Sequence, residues 1–103
     1  MLKNKKFKIK EKVWVWPGVG GWHFVYVDKE LTEELKKKGV KYKYGSGFLA
    51  IRAKVDKTSW DTALFPHIKE NVYLLSIKAS VRKKEQIFEG DLVAVSFKFR
   101  GLS

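Results

Sequence analysis

A chain of 103 residues has room for one compact domain and little more. With 45% hydrophobic and 15% aromatic residues it can bury a real core, which excludes a disordered chain. A formal charge of +11 favours anionic partners, and the absence of cysteine excludes disulfides and thiolate metal sites.

The segment "MLKNKKFKIK" is basic but leads into no apolar h-region, so it does not read as a secretory signal. No apolar run approaches the ~18 residues of a membrane span, and the expected location is the cytoplasm. Most of the positive charge is lysine. Only Arg52, Arg82 and Arg100 could make bidentate contacts, so the charge favours attraction to a phosphate backbone over reading of bases.

Phe7 to Trp16 alternates. Phe7, Ile9, Val13 and Val15 share one face, while Lys8, Lys10, Lys12, Trp14 and Trp16 share the other, as in a half-buried strand. "PGVGG" (Pro17 to Gly21) is a turn and "WHFVYV" (Trp22 to Val27) a returning strand, so the two form a hairpin. Asp28 is placed to cap a helix over 29–38, with acids early, Lys36, Lys37 and Lys38 late, and Gly39 as its stop. "KYKYGSGFLAIRAKV" (Lys41 to Val55) reads as a strand loosened by Gly45 and Gly47, with Leu49, Ile51, Ala53 and Val55 inward. Asp56 to Ser59 is a turn, and Trp60 to Phe65 a strand stopped by Pro66. Val72 to Ile77 is the next strand. A short helix follows, with Arg82, Lys83 and Lys84 expected in its first turn and Lys78 just before it. Asp91 to Phe99 is the last strand.

A shift of fifty residues lays "FVYVDKELTEEL" (Phe24 to Leu35) over "LLSIKASVRKKE" (Leu74 to Glu85). Phe24, Val25, Val27 and Leu31 fall on Leu74, Leu75, Ile77 and Val81, a strand ending in a helix each time. The expected fold is mainly β: a single closed or nearly closed barrel of two pseudo-repeated halves, about 1–52 and 53–103, with two short helices.

The second copy, "VRKKEQIFEGDLVAV", resembles the swapped-hairpin module of AbrB-type transition-state regulators and MazE-type antitoxins. Val81, Arg82, Ile87, Gly90 and Asp91 sit at the positions of that motif, while Lys78 and Asp28 stand where its proline would be. "GGWHFVYV", "GSGFLAIRAKV", "SWDTALFP" and "YLLSIKASVRKKEQIFEGD", in that order, resemble the domain of unknown function 1905 family over nearly the whole chain. That family commonly has Pro where Ser76 stands. The resemblance implies a small β-barrel of two pseudo-symmetric halves and supplies no catalytic residues.

The residues offer no catalytic set either. His23 and His67 lie in no metal-ligand spacing. In "YGSGF" the glycines adjoin Ser46, where a nucleophile elbow needs them two residues away. "GVGG" is followed by a strand, so no helix N-terminus is available for phosphate. Neither cofactor nor metal is expected, and a monomer is compatible with the sequence. The expected function is a non-enzymatic binding module for an anionic partner, with a nucleic-acid backbone first. Its contacts would be Lys8, Lys10, Lys12, Lys78, Arg82, Lys83 and Lys84. Alternatives are a small-molecule pocket at an aromatic barrel end, drawn from Trp14, Trp16, Trp22, Tyr42, Tyr44 and Trp60, and a protein-interaction module. Trp14 and Trp16 could stack bases, but as large aromatics they are expected to fill a barrel end instead.

Overall fold

The computed structural model describes residues 5–17, 21–39, 43–44 and 47–100, with backbone only at 43–44. Its elements are β1 (Phe7–Lys12), β2 (Trp14–Val15), β3 (His23–Tyr26), α1 (Lys29–Lys38), β4 (Lys43–Tyr44), β5 (Phe48–Val55), β6 (Thr58–His67), β7 (Val72–Ser76), α2 (Ala79–Glu85) and β8 (Leu92–Phe99). The strands run β1-β8-β5-β6-β7-β3-β2, with β4 folded back on β5. All pairs are antiparallel.

The two ends of that order, β1 and β2, are one extended segment that changes partner at Val13. β1 pairs with β8 and β2 with β3. Val13 N–H donates to the Asp91 carbonyl at 2.9 Å, and Gly90 N–H donates to the Val13 carbonyl at 2.7 Å. The sheet therefore closes into a nearly complete barrel through the chain itself, which leaves it little free edge. The predicted hairpin survives only in its second part, since residues 7–12 pair with β8.

The alternation of side chains fixes what lies inside. Phe7, Ile9, Val25, Leu49, Ile51, Ala53, Leu64, Leu75, Val95 and Phe97 are all buried in one core. The helices pack against it, α1 through Leu35 and α2 through Val81. On α1, Asp28 Oδ1 accepts from Leu31 N–H at 2.8 Å, and Leu35 is fully buried. Gly39 ends α1 as expected, but its φ of −90° is ordinary. Glycine is required because a Cβ would lie 2.6 Å from the Leu35 carbonyl oxygen. On α2, Val81 is buried, and Thr58 Oγ1 donates to Glu85 at the β5–β6 turn.

The halves repeat strand, strand, helix, strand. Val25 lies directly opposite Leu75. On either side of that pair Val27 N–H donates to Tyr73 C=O and Ile77 N–H to His23 C=O, both at 2.9 Å. Each bond is the other's image under the fifty-residue shift. The halves also exchange strands, β1 pairing with β8 and β6 with β5.

Three expectations are corrected. The strand predicted over 41–55 is two, since Lys43–Tyr44 pairs back on β5 as β4. The turn after β5 is only Asp56 and Lys57, with Asp56 at a φ of 51°. And β6 passes through Pro66 to His67. Pro66 faces Tyr73, whose N–H goes to Thr32 Oγ1 and whose carbonyl goes to Val27 N–H. Tyr73 asks no ladder bond of Pro66, so the missing N–H costs nothing there.

Candidate nucleic-acid interface

The register gathers cations on one outer wall. Lys8, Lys10 and Lys12 of β1 alternate outward, and β8 beside it presents Leu92, Ala94, Ser96 and Lys98. Beyond β8, Lys54 is paired with Ser96 and Arg52 with Lys98. The small side chains of Ala94 and Ser96 leave the middle of the wall low and the cations around it. Among the described residues Lys8, Lys10, Lys12, Lys54 and Lys98 take part in no ion pair, while Arg52 meets Asp61 at 2.8 Å. A shallow depression of about 160 Å³ lies between Lys6, Arg52, Lys54 and Lys98. The sequence pointed to β1 alone. Lys54 and Lys98 were legible as outward residues, but not as neighbours of Lys8.

The aromatic residues form a second outer surface, on β2, β3 and β6. Val25 points inward, so its neighbours Phe24 and Tyr26 point out, and Trp14 lies opposite Phe24. Trp14 stacks on Tyr26 (5.1 Å, 20°) and also touches Phe24 (5.5 Å) and Trp16 (5.7 Å). Trp22 lies parallel to Phe24 at 6.2 Å. Trp16 is 42% exposed and Trp22 52%. These three tryptophans therefore do not fill a barrel end. Trp60 does point inward and is 5% exposed. The indole N–H groups of Trp14 and Trp60 are buried without a partner among the described residues. Tyr42 lies outside the described residues, and of Tyr44 only the backbone is described.

The two surfaces meet. Lys10, Glu11, Lys12, Trp14, Tyr26 and Leu92 line one open groove of about 620 Å³. A cleft of about 350 Å³ lies between β6, β7 and α2, lined by Trp22, Trp60, Asp61, Ser76, Lys78 and Arg82 among others. Ser76 in the cleft and Tyr26 in the groove are equivalent at the fifty-residue shift, so the two depressions occupy related places in the halves.

The cations of α2 are placed differently from expectation. The helix is only seven residues long, and Arg82, Lys83 and Lys84 lie in its last turn, where the macrodipole favours cations. It stops there because Gln86 takes the left-handed conformation at a φ of 55°. Arg82 is half-buried and anchored. Its Nε donates to the Ile77 carbonyl at 3.0 Å, and its Nη1 lies 3.4 Å from His23 Nε2. Lys83 and Lys84 are exposed and line neither depression.

No group of three or more potential metal ligands occurs among the described residues. No helix among them is long and apolar enough to cross a membrane.

Fold and surface together define a small pseudo-two-fold β-barrel with two helices and an outer wall that is part basic, part aromatic. The chain belongs to the family described as Domain of unknown function (DUF1905), whose model matches residues 10–97. No curated protein matches it.

Proposed function

We propose that the protein is a non-enzymatic binder of single-stranded nucleic acid, acting in the cytoplasm. One observation carries the reading: Lys10 and Lys12 share a groove with Trp14 and Tyr26, beside a flat wall bearing Lys8, Lys54, Lys98 and Arg52. A single strand needs both parts, cations along its backbone and aromatic faces for its bases. A duplex would offer the backbone but hide the base faces, so Trp14 and Trp16 favour the single strand. Glu11 leaves the groove with a surplus of one positive charge, and most of the attraction comes from the wall.

Titration of single-stranded oligonucleotides, followed by tryptophan fluorescence at several salt concentrations, tests the reading. Binding should weaken steadily with salt and quench the tryptophans. Binding indifferent to salt, or equally tight to duplex and single strand, overturns it.

A further inference from the structure

The two halves fill one structural position with different side chains. In the first, Thr32 Oγ1 donates to the Val27 carbonyl and is fully buried. In the second, fifty residues on, Arg82 Nε donates to the Ile77 carbonyl. The arginine also reaches His23, whose Nδ1 lies 2.6 Å from the Gly21 carbonyl. A carbonyl only accepts, so Nδ1 carries the ring proton and Nε2 of the neutral ring accepts from Arg82. Two of the five guanidinium N–H groups are thereby used, and among the described residues the other three have no partner, on a side chain whose orientation is already fixed.

Arg82 lines the cleft between β6, β7 and α2, as does Lys78. Neither forms an ion pair among the described residues. The cleft's one acid, Asp61, is held by Arg52. The cleft thus carries two uncompensated positive charges. Its other walls suit a ring. Trp22 is half exposed and held parallel to Phe24. Thr62 and Ser76 add hydroxyls 3.3 Å apart.

We propose that this cleft binds a nucleoside 5′-monophosphate, its phosphate between Lys78 and Arg82 and its base against Trp22. A phosphomonoester carries about −1.5 to −2 charges near neutrality, which matches two cations better than a carboxylate does. The volume of about 350 Å³ is at the small end for ligand pockets, suited to one nucleotide. The ligand is either a free nucleotide or the 5′ end of a strand, for Phe24 links Trp22 in the cleft to Trp14 in the groove. The proposal stands without the groove reading, because the two sites use different residues.

The test titrates the full chain with AMP, CMP, GMP and UMP at about 0.15 M salt, reading tryptophan fluorescence and melting temperature. Adenosine and inorganic phosphate serve as single-feature probes and should bind at least about tenfold more weakly than AMP. Arg82→Gln and Lys78→Gln should each weaken AMP about tenfold. Should Arg82→Gln fail to fold, Lys78→Gln and Trp22→Ala, both at exposed positions, carry the test. Lys10→Gln with Lys12→Gln should leave AMP binding unchanged, which separates this site from the groove. Nucleotides binding no better than inorganic phosphate, or unchanged affinity in Lys78→Gln and Trp22→Ala, would overturn the proposal. A preference for a 5′-phosphorylated over a 5′-hydroxyl oligonucleotide, abolished by Lys78→Gln, identifies the strand end. AMP binding without that preference identifies the free nucleotide.

Discussion

Thr32 and Arg82, fifty residues apart, do the same work in the two halves. Thr32 Oγ1 holds the Val27 carbonyl and takes the Tyr73 N–H, while Arg82 holds the Ile77 carbonyl and meets His23. Val27 and Ile77 are counterparts under the internal shift, as are Tyr73 and His23. Thr32 is fully buried, so Thr32→Val strands a donor and an acceptor. It should cost about 2–3 kcal/mol, and Thr32→Ser, which keeps the hydroxyl, about 1 kcal/mol or less. Urea unfolding distinguishes them. Equal costs would show that the hydroxyl's bonds do not matter.

The same equivalence separates the three cations of α2. Arg82→Ala should destabilise the fold by about 1–2 kcal/mol, because the Ile77 carbonyl loses its side-chain donor. Lys83→Gln and Lys84→Gln should stay within about 0.5 kcal/mol, as both are exposed and sit where cations suit the dipole. Comparable losses at all three would mean that α2 is held by its charge as a whole.

The barrel was legible in the sequence because it is written in periodicity. Inward residues such as Ile9, Ala53 and Phe97 alternate with polar ones, and the repeat of Val25 in Leu75 marked the two-fold. What misled was local and cooperative. Nothing near Glu85 announces that Gln86 will go left-handed and end α2 there, so Arg82, Lys83 and Lys84 were expected in the first turn and lie in the last. Pro66 read as a stop, because only the pairing of Tyr73 with β3 and α1 shows that its N–H is not needed. The wall of Lys8, Lys54 and Lys98 was illegible for another reason. Each lysine shows that it points outward, but which strands lie side by side is a property of the closed sheet.

The groove reading makes a two-part prediction. Lys10→Gln with Lys12→Gln should flatten the salt dependence of single-strand binding by about 1.4 in log–log slope, about 0.7 for each phosphate contact. Trp14→Ala should instead cost about 1–3 kcal/mol of affinity while the slope stays put. Filter binding across a salt series measures both. A slope untouched by the lysine changes would move the backbone contacts elsewhere.

The shared core predicts one cooperative transition. Val25 and Leu75 are both fully buried and face each other across the join between the halves. Leu75→Ala should cost about 3 kcal/mol and lower the whole urea transition without splitting it. Two resolved steps would show that the halves fold independently despite their exchanged strands.

Tyr73 ties stability to alkaline pH. It is 2% exposed, and burial pushes its phenol above the ordinary value, with the nearby Glu33 carboxylate adding to the effect. The folded protein therefore keeps the phenolic proton to higher pH than the unfolded chain does. Below about pH 10 both states are protonated and the group contributes no pH dependence. Above that, the unfolded chain loses its proton first, and stability falls as pH rises, by at most about 1.4 kcal/mol per unit from this group. Lysines titrate in the same range in any variant, so the comparison with Tyr73→Phe isolates the phenol. Urea unfolding between about pH 8 and about pH 11 should show the steeper decline in the unaltered protein. Parallel declines would mean that the Tyr73 phenol ionises as freely in the barrel as in the unfolded chain.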